Sequence, residues 1–176
     1  MDSLKNISLL IVLFVMVAAI YWEVRLYRRR NGGQPSAIKP KKYMGATVFF
    51  VNDDHQVLLL LRDNKKNIPF PNCWDALGGH VDPGETPLEC IVREMKEEIG
   101  YHLESPELFN IYDLDDRIDC IFWQRANFDI NKINLQEGQK LKWFSEQEIR
   151  AMENAQIALG FKPILLEFFR KGPFKE

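Results

Sequence analysis

Residues 78–101 read GGHVDPGETPLECIVREMKEEIGY, and the reading of this stretch decides the reading of the whole chain. Thr86 is a helix N-cap with Glu89 three residues on, Pro87 takes the first helical position, and Gly100 lies just past the end. The spacing predicts a helix whose buried face carries Leu88, Ile91, Val92, Met95 and Ile99. Glu94, Glu97 and Glu98 are expected together on the other face, within roughly 100° of one another. Like charges so spaced cost about 0.2–0.5 kcal/mol each in a bare helix. One explanation is a solvated acidic face, with Arg93, four residues from both Glu89 and Glu97, relieving the repulsion. The glycines before the helix favour another, because Gly78, Gly79 and Gly84 let the backbone approach whatever the carboxylates hold. Hard oxygen ligands on a pre-ordered helix suit Mg²⁺ or Mn²⁺, which take a few carboxylates and complete their shell with phosphate and water. The residues alone point to a divalent-metal and phosphate site and go no further.

The stretch resembles the signature of the Nudix hydrolases: Gly, five residues, Glu, seven residues, Arg-Glu, an aliphatic, any residue, Glu-Glu, any residue, Gly and a bulky apolar. This sequence supplies Gly79, Glu85, Arg93, Glu94, Met95, Glu97, Glu98, Gly100 and Tyr101 without a gap, Tyr101 being the loosest fit to its class. The resemblance implies an α/β/α sandwich with a mixed sheet and a loop–helix–loop motif that binds divalent cations and the diphosphate of a small-molecule nucleotide. Glu94, Glu97 and Glu98 would then ligate metal directly or through water, one of them, with Glu94 first in line, acting as general base. The Gly79 carbonyl would be a further ligand, and Glu85 and Arg93 would pair to brace the loop against the helix. Residues 135–145, LQEGQKLKWFS, are similar to the family's late strand, where Glu137 matches an acidic residue that supplies another ligand or base. A surface carboxylate is the other reading of Glu137. Phe70, Trp74 and His80 lie near the motif and are candidates for substrate contact, packing or exposure being the alternatives. Phe161-Lys162-Pro163 stands where the branch acting on mutagenic nucleotides has a base-reading Asn, so oxidised-guanine specificity does not follow.

Outward from the motif the chain reads as α+β. Expected strands are 46–51 and 57–62 about an Asn52–His55 turn, 74–77, 108–114, 120–128 and 141–144. Ser145, with Glu148 completing a capping box, is expected to start a helix that Gly160 stops, and Pro163 opens a last apolar segment. The resemblance extends over roughly 43–170, which sets the domain at 43–176.

Two segments precede it. Ile7–Trp22 carries no charge and spans about 24 Å as a helix, slightly short of the roughly 30 Å hydrocarbon core. Residues 1–24 are therefore expected to form a single membrane anchor, and 25–42, which contain two Gly and two Pro, a basic linker. Arg25, Arg28, Arg29 and Arg30 follow the apolar run, against Lys5 before it, so the domain is expected on the cytoplasmic side. A cleaved signal peptide fits less well, because its charge would come first. A buried core helix fits poorly with an arginine cluster at its end.

Charge divides the chain in the same way. Residues 25–42 hold seven basic residues and no acidic one, whereas 43–176 hold 15 Lys and Arg against 23 Asp and Glu, a difference of −8. Such a domain is a poor partner for nucleic acid and a good host for a cation. The three cysteines form no metal-binding pair and are expected as free thiols. The expected activity is hydrolysis of a diphosphate bond in a nucleoside triphosphate or a related nucleotide, releasing a nucleoside monophosphate. Action on a nucleotide sugar or ADP-ribose is an alternative, as is a non-catalytic nucleotide-sensing module at the membrane. The motif does not choose among substrates or oligomeric states.

Overall fold

The computed structural model describes residues 42–174. The expected anchor at 1–24 and the linker at 25–42, apart from Lys42, lie outside the described residues. Among the described residues no helix is long and apolar enough to cross a membrane.

The domain is a mixed seven-stranded sheet between two helical layers. Strand β1 (Tyr43–Val51) lies parallel to β6 (Arg117–Arg125) over its whole length, from Tyr43↔Arg117 to Val51↔Arg125. The other pairings are antiparallel: β5 (Glu107–Asp113) covers the far side of β6, and β7 (Lys140–Phe144) pairs along β2 (Val57–Leu61). On its other side β1 touches β2 only at Val51↔Val57. The strands diverge from there, and β3 (Trp74–Asp75) and β4 (Leu77–His80) fill the wedge: β3 bonds β2 at residues 60–61 and β4 bonds β1 at 45–48. That crossing carries Gly78 and Gly79 directly into the motif.

Strand alternation sorts the core into two layers. Ala46, Val48 and Phe50 of β1, with Leu58 and Leu60 of β2, face helix α1 (Pro87–Ile99). Phe49 and Val51, with Val57 and Leu59, face α2 (Glu146–Ala151) and α3 (Phe161–Lys171). Phe161, Leu165 and Phe168 of α3 are almost fully buried, each stabilising the fold by roughly 1.5–3 kcal/mol. Cys90 and Cys120 are buried and Cys73 half-buried, all three as free thiols.

Helix α1 has both halves of the expected capping box and a left-handed Gly100 (φ 64°) at its C-cap. Its faces differ from the periodicity reading. Leu88 lies in the right sector but on the first turn, and it is 46% exposed. Glu98, seven residues past Ile91 and so about 20° from it around the helix, sits near the middle of the buried arc. The expected helix from Ser145 to Gly160 is also corrected. It ends at Ala151: Met152 is extended (ψ 149°), and Ile149 is the helix's one buried residue. Glu153 and Gln156 then cap a separate 3₁₀ turn, and Ile157 bridges to Trp74. Strands β1 and β6 each begin three residues earlier than expected, since Tyr43 and Arg117 already pair with each other.

Candidate active site

A side chain on Gly78 would collide with backbone, and one on Gly79 would have to displace the Glu94 carboxylate. A Cβ on Gly78 (φ 148°) would lie 2.2 Å from the Ala46 carbonyl oxygen, and one on Gly79 2.1 Å from Glu94 Oε1. Helix α1 can therefore press its acidic flank onto the bare backbone of β4. The loop between them is pinned by Val81 N–H donating to the Met44 carbonyl at 2.9 Å and by Asp82 N–H donating to Glu85 Oε2 at 3.0 Å.

Arg93 ties loop to helix. Its Nε and Nη2 donate to the two oxygens of Glu85 at 2.9 and 3.0 Å, Nη1 to Glu94 Oε1 at 2.7 Å and Glu97 Oε2 at 3.3 Å, and Nη2 also to the His80 carbonyl at 3.2 Å. The fork geometry suits arginine and not lysine. Arg93 bonding, with help from the Asp82 amide, holds the Glu85 carboxyl down to about 2. Glu89 stays in its capping box and does not reach Arg93.

A cleft of about 510 Å³ opens beside this frame, lined by Gly79, Arg93, Glu94, Glu98 and Glu137 among others. Glu98 is 8% exposed, and its Oε2 has no hydrogen-bond partner. Burial, then the charges of Glu94 and Glu137, push its carboxyl well above the usual range, against some relief from the Gly78 amide. Glu137 is brought there by the end of α1: Gln136 N–H donates to the Glu98 carbonyl at 2.8 Å, and Gly138 turns at φ 82° against Leu60. Glu97 is 61% exposed in its side chain and stands outside the cleft, joined to it through Arg93. Among the described residues no three Asp, Glu, His or Cys side chains converge on one point as ready ligands. Glu94 leans toward Arg93, although the electrostatics put it near enough to Glu98 to be felt. The donor set still fits a hard divalent cation. A buried carboxylate oxygen without a partner, beside two more carboxylates and the Gly79 backbone, calls for a proton or a cation.

The cleft lining also holds residues that the sequence did not single out. Asp75 is almost fully buried; Arg62 Nη1 donates to it at 2.7 Å and Ala76 N–H at 2.9 Å. Burial outweighs Arg62 and raises the Asp75 carboxyl from 3.8 to about 6. Arg117 and Asp119, both buried, pair at 2.6 Å, and Tyr43, Thr47, Leu159 and Phe161 complete this part of the lining. His80 lines the cleft, its ring 4.3 Å from that of Tyr43. Phe70 (45% exposed) and Trp74, packed edge-on against Phe144 at 4.7 Å, do not line it. Arg117 and Asp119 left one signal, two charges on the same side of a strand that is apolar from Cys120 to Trp123. Arg62 and Asp75 left none.

Comparison with known proteins agrees with this architecture. The profile described as NUDIX domain matches residues 41–165. An ADP-ribose pyrophosphatase of Methanocaldococcus jannaschii is 40% identical over 67 residues, 38% of this chain and 38% of that protein. A human 8-oxo-dGDP phosphatase is 31% identical over 83 residues, 46% of this chain and 24% of that protein. The chain thus matches less than half the length of these relatives. Among solved structures, the MutT protein from Methanosarcina mazei Go1 superposes with a TM-score of 0.61 at 24% identity, covering 80% of this chain and 100% of that one. The protein DR0079 from Deinococcus radiodurans gives 0.62 at 21% identity, covering 78% and 86%. The likeness to both structures is one of fold. With most of its length matched by the family profile, this chain belongs to the NUDIX family.

Proposed function

We propose that the protein is a divalent-cation-dependent hydrolase of the diphosphate bond in a nucleoside diphosphate linked to a further group, releasing a nucleoside monophosphate. The observation that carries this reading is the Glu98 carboxyl, buried with an unpartnered oxygen in the cleft that Glu94 and Glu137 also line. Glu94, Glu98, Glu137 and the Gly79 carbonyl would hold Mg²⁺ or Mn²⁺, with Glu97 contributing from the outer side through water. A cation bound there offsets phosphate charge and acidifies coordinated water. The chain's own residues supply the rest. Arg93 and Glu85 fix the helix against the loop, so the carboxylates keep their spacing without a ligand's help. Glu94 is the proton acceptor of this reading, one oxygen steadied by Arg93 and the side chain bordering the cleft. The Arg62–Asp75 and Arg117–Asp119 pairs are each neutral overall, so the lining they form is polar yet nearly uncharged and better suited to the nucleoside than to its phosphates.

The likeness to the archaeal ADP-ribose pyrophosphatase supports ADP-ribose among the substrates to be tried, beside nucleoside triphosphates. The reading also includes tethering at a membrane with the site in the cytoplasm, supported by the charge-free run at 7–22 and the arginines after it. Purified full-length protein would be assayed on ATP, dGTP, GTP, ADP-ribose and UDP-glucose, with Mg²⁺ and with chelator. Nucleoside monophosphate release that needs the cation is expected for at least one of them. A folded protein that binds these nucleotides and hydrolyses none would make the domain a sensing module.

A further inference from the structure

Three glutamates border the cleft, and two of them have evident restraints. Glu94 is bonded to Arg93, and Glu98 is buried on α1. Glu137 is exposed and belongs to no helix or strand, so its place depends on its backbone. That backbone is held on both sides. On one, Gln136 N–H donates to the Glu98 carbonyl at 2.8 Å, close to the end of α1. On the other, Gly138 takes φ 82°, and a Cβ there would lie 2.5 Å from Leu60 Cδ1 and 2.9 Å from the Leu61 carbonyl oxygen. The chain thus crosses close over the end of β2, where Gln139 N–H donates to the Leu61 carbonyl at 2.8 Å.

The Gln139 side chain completes this attachment. Both hydrogens of its amide nitrogen are used: Nε2 donates to the Arg62 carbonyl at 2.6 Å and to Asn72 Oδ1 at 2.8 Å. These two partners close the loop between β2 and β3. Arg62 N–H donates to the Cys73 carbonyl at 3.0 Å, Asn72 N–H to the Asp63 carbonyl at 3.3 Å, and Arg62 Nε to the Pro69 carbonyl at 3.1 Å. Asn72 stands at φ 58°, in the left-handed region that asparagine tolerates better than most residues. Arg62 and Pro69 line the cleft, whereas Gln139 does not. One exposed glutamine therefore joins the turn that carries Glu137 to a loop that forms another part of the lining. Lysine in its place would bring a charge beside Glu137, and asparagine is one methylene shorter. A shift of about 1 Å in a reacting group can cost about a hundredfold in rate, so such a clip matters more to turnover than to stability.

We propose that Gln139 is a positioning residue for Glu137: by clipping the Gly138 turn to the loop at residues 62–73, it holds the Glu137 carboxylate where a cation and a diphosphate would meet it. This rests on the diphosphate-hydrolase reading, in which Glu137 is a ligand. The test is a double-mutant cycle on the full chain with two readouts. One is Mn²⁺ uptake, followed by the paramagnetic signal of the free ion; the other is turnover of the nucleotide that the wild type hydrolyses fastest. Gln139→Ala is expected to weaken Mn²⁺ uptake threefold or more and to lower kcat tenfold or more, with KM within twofold. In a Glu137→Gln background the same substitution should change uptake and kcat less than twofold, because the group it positions is gone. Asn72→Gly removes one of the two acceptors, and glycine adopts φ 58° freely, so it decides the matter even if Gln139→Ala does not fold. It is expected to give smaller losses that likewise vanish beside Glu137→Gln. Losses that persist in full beside Glu137→Gln, or wild-type uptake and turnover in folded Gln139→Ala or in Asn72→Gly, overturn the proposal. Uptake that follows the cycle in a protein that hydrolyses no nucleotide supports it and ends the hydrolase reading. Cation-dependent hydrolysis with additive losses does the reverse, and a wild type that takes up no Mn²⁺ overturns both.

Discussion

Glu98 is the residue at which this fold gives up stability. A carboxylate at the middle of a helix's buried arc would be replaced by an apolar or neutral side chain if packing alone decided. Its folded pKa is raised, so its unfavourable contribution is absent when it is protonated and grows as pH rises. Glu98→Gln is therefore expected to raise the thermal midpoint at pH 8 by a few degrees, with the gain shrinking toward pH 4, and to cut turnover tenfold or more. Equal midpoints at pH 8, together with full activity, would remove Glu98 from the site. Asp75 behaves in a related way. With a folded value of about 6 against 3.8 for the free side chain, it binds its proton more tightly when folded. Its contribution is fully present below 3.8 and is lost as pH rises through about 6. Thermal midpoints measured from pH 4 to pH 7 should show that decline in the wild type, and the decline should be shallower in Asp75→Asn.

At the scale of elements, the sequence reported what neighbours along the chain decide. Thr86, Pro87, Glu89 and Gly100 mark α1 because capping is local, satisfied within one turn. Ser145 and Glu148 likewise mark the start of α2, but its end does not follow from Gly160: the chain leaves the helix at Met152 to let Ile157 bridge Trp74, a partner 83 positions away (157 − 74). The site divides along the same line. Glu94, Gly79, Arg93 and Glu85 stand out in one short stretch, whereas Arg62 with Asp75 and Arg117 with the Leu159 carbonyl meet only through the sheet. Glu98 was legible as a ligand type but not as a buried one, since which side of α1 meets β4 is fixed by tertiary packing. The packing of β4 against α1 gives a sharp test. Gly79→Ala places a methyl 2.1 Å from Glu94 Oε1, so Glu94 must move. The variant should fold, by circular dichroism, and lose tenfold or more in turnover. Wild-type turnover would show that the β4–α1 contact does not set Glu94.

For the whole molecule, the described domain has a core of two apolar layers, one on each face of the sheet. Among the described residues, the buried members of both apolar layers run from Ala46 to Phe169. Residues 43–176 produced alone are expected to stay monodisperse and to unfold in one cooperative transition. Aggregation of that fragment, cured by restoring 7–22, would make the N-terminal run part of the core. The acidic balance of the domain, −8 against the seven basic residues of 25–42, fits a body that concentrates cations at a carboxylate cleft. Binding of Mn²⁺, followed by the paramagnetic signal of the free ion, tests that claim most directly. Wild-type protein should take up the ion, Glu94→Gln and Glu98→Gln should weaken uptake tenfold or more, and nucleotide turnover should rise in step with occupancy. Equal uptake by wild type and Glu98→Gln, or turnover that ignores a chelator, would contradict the account.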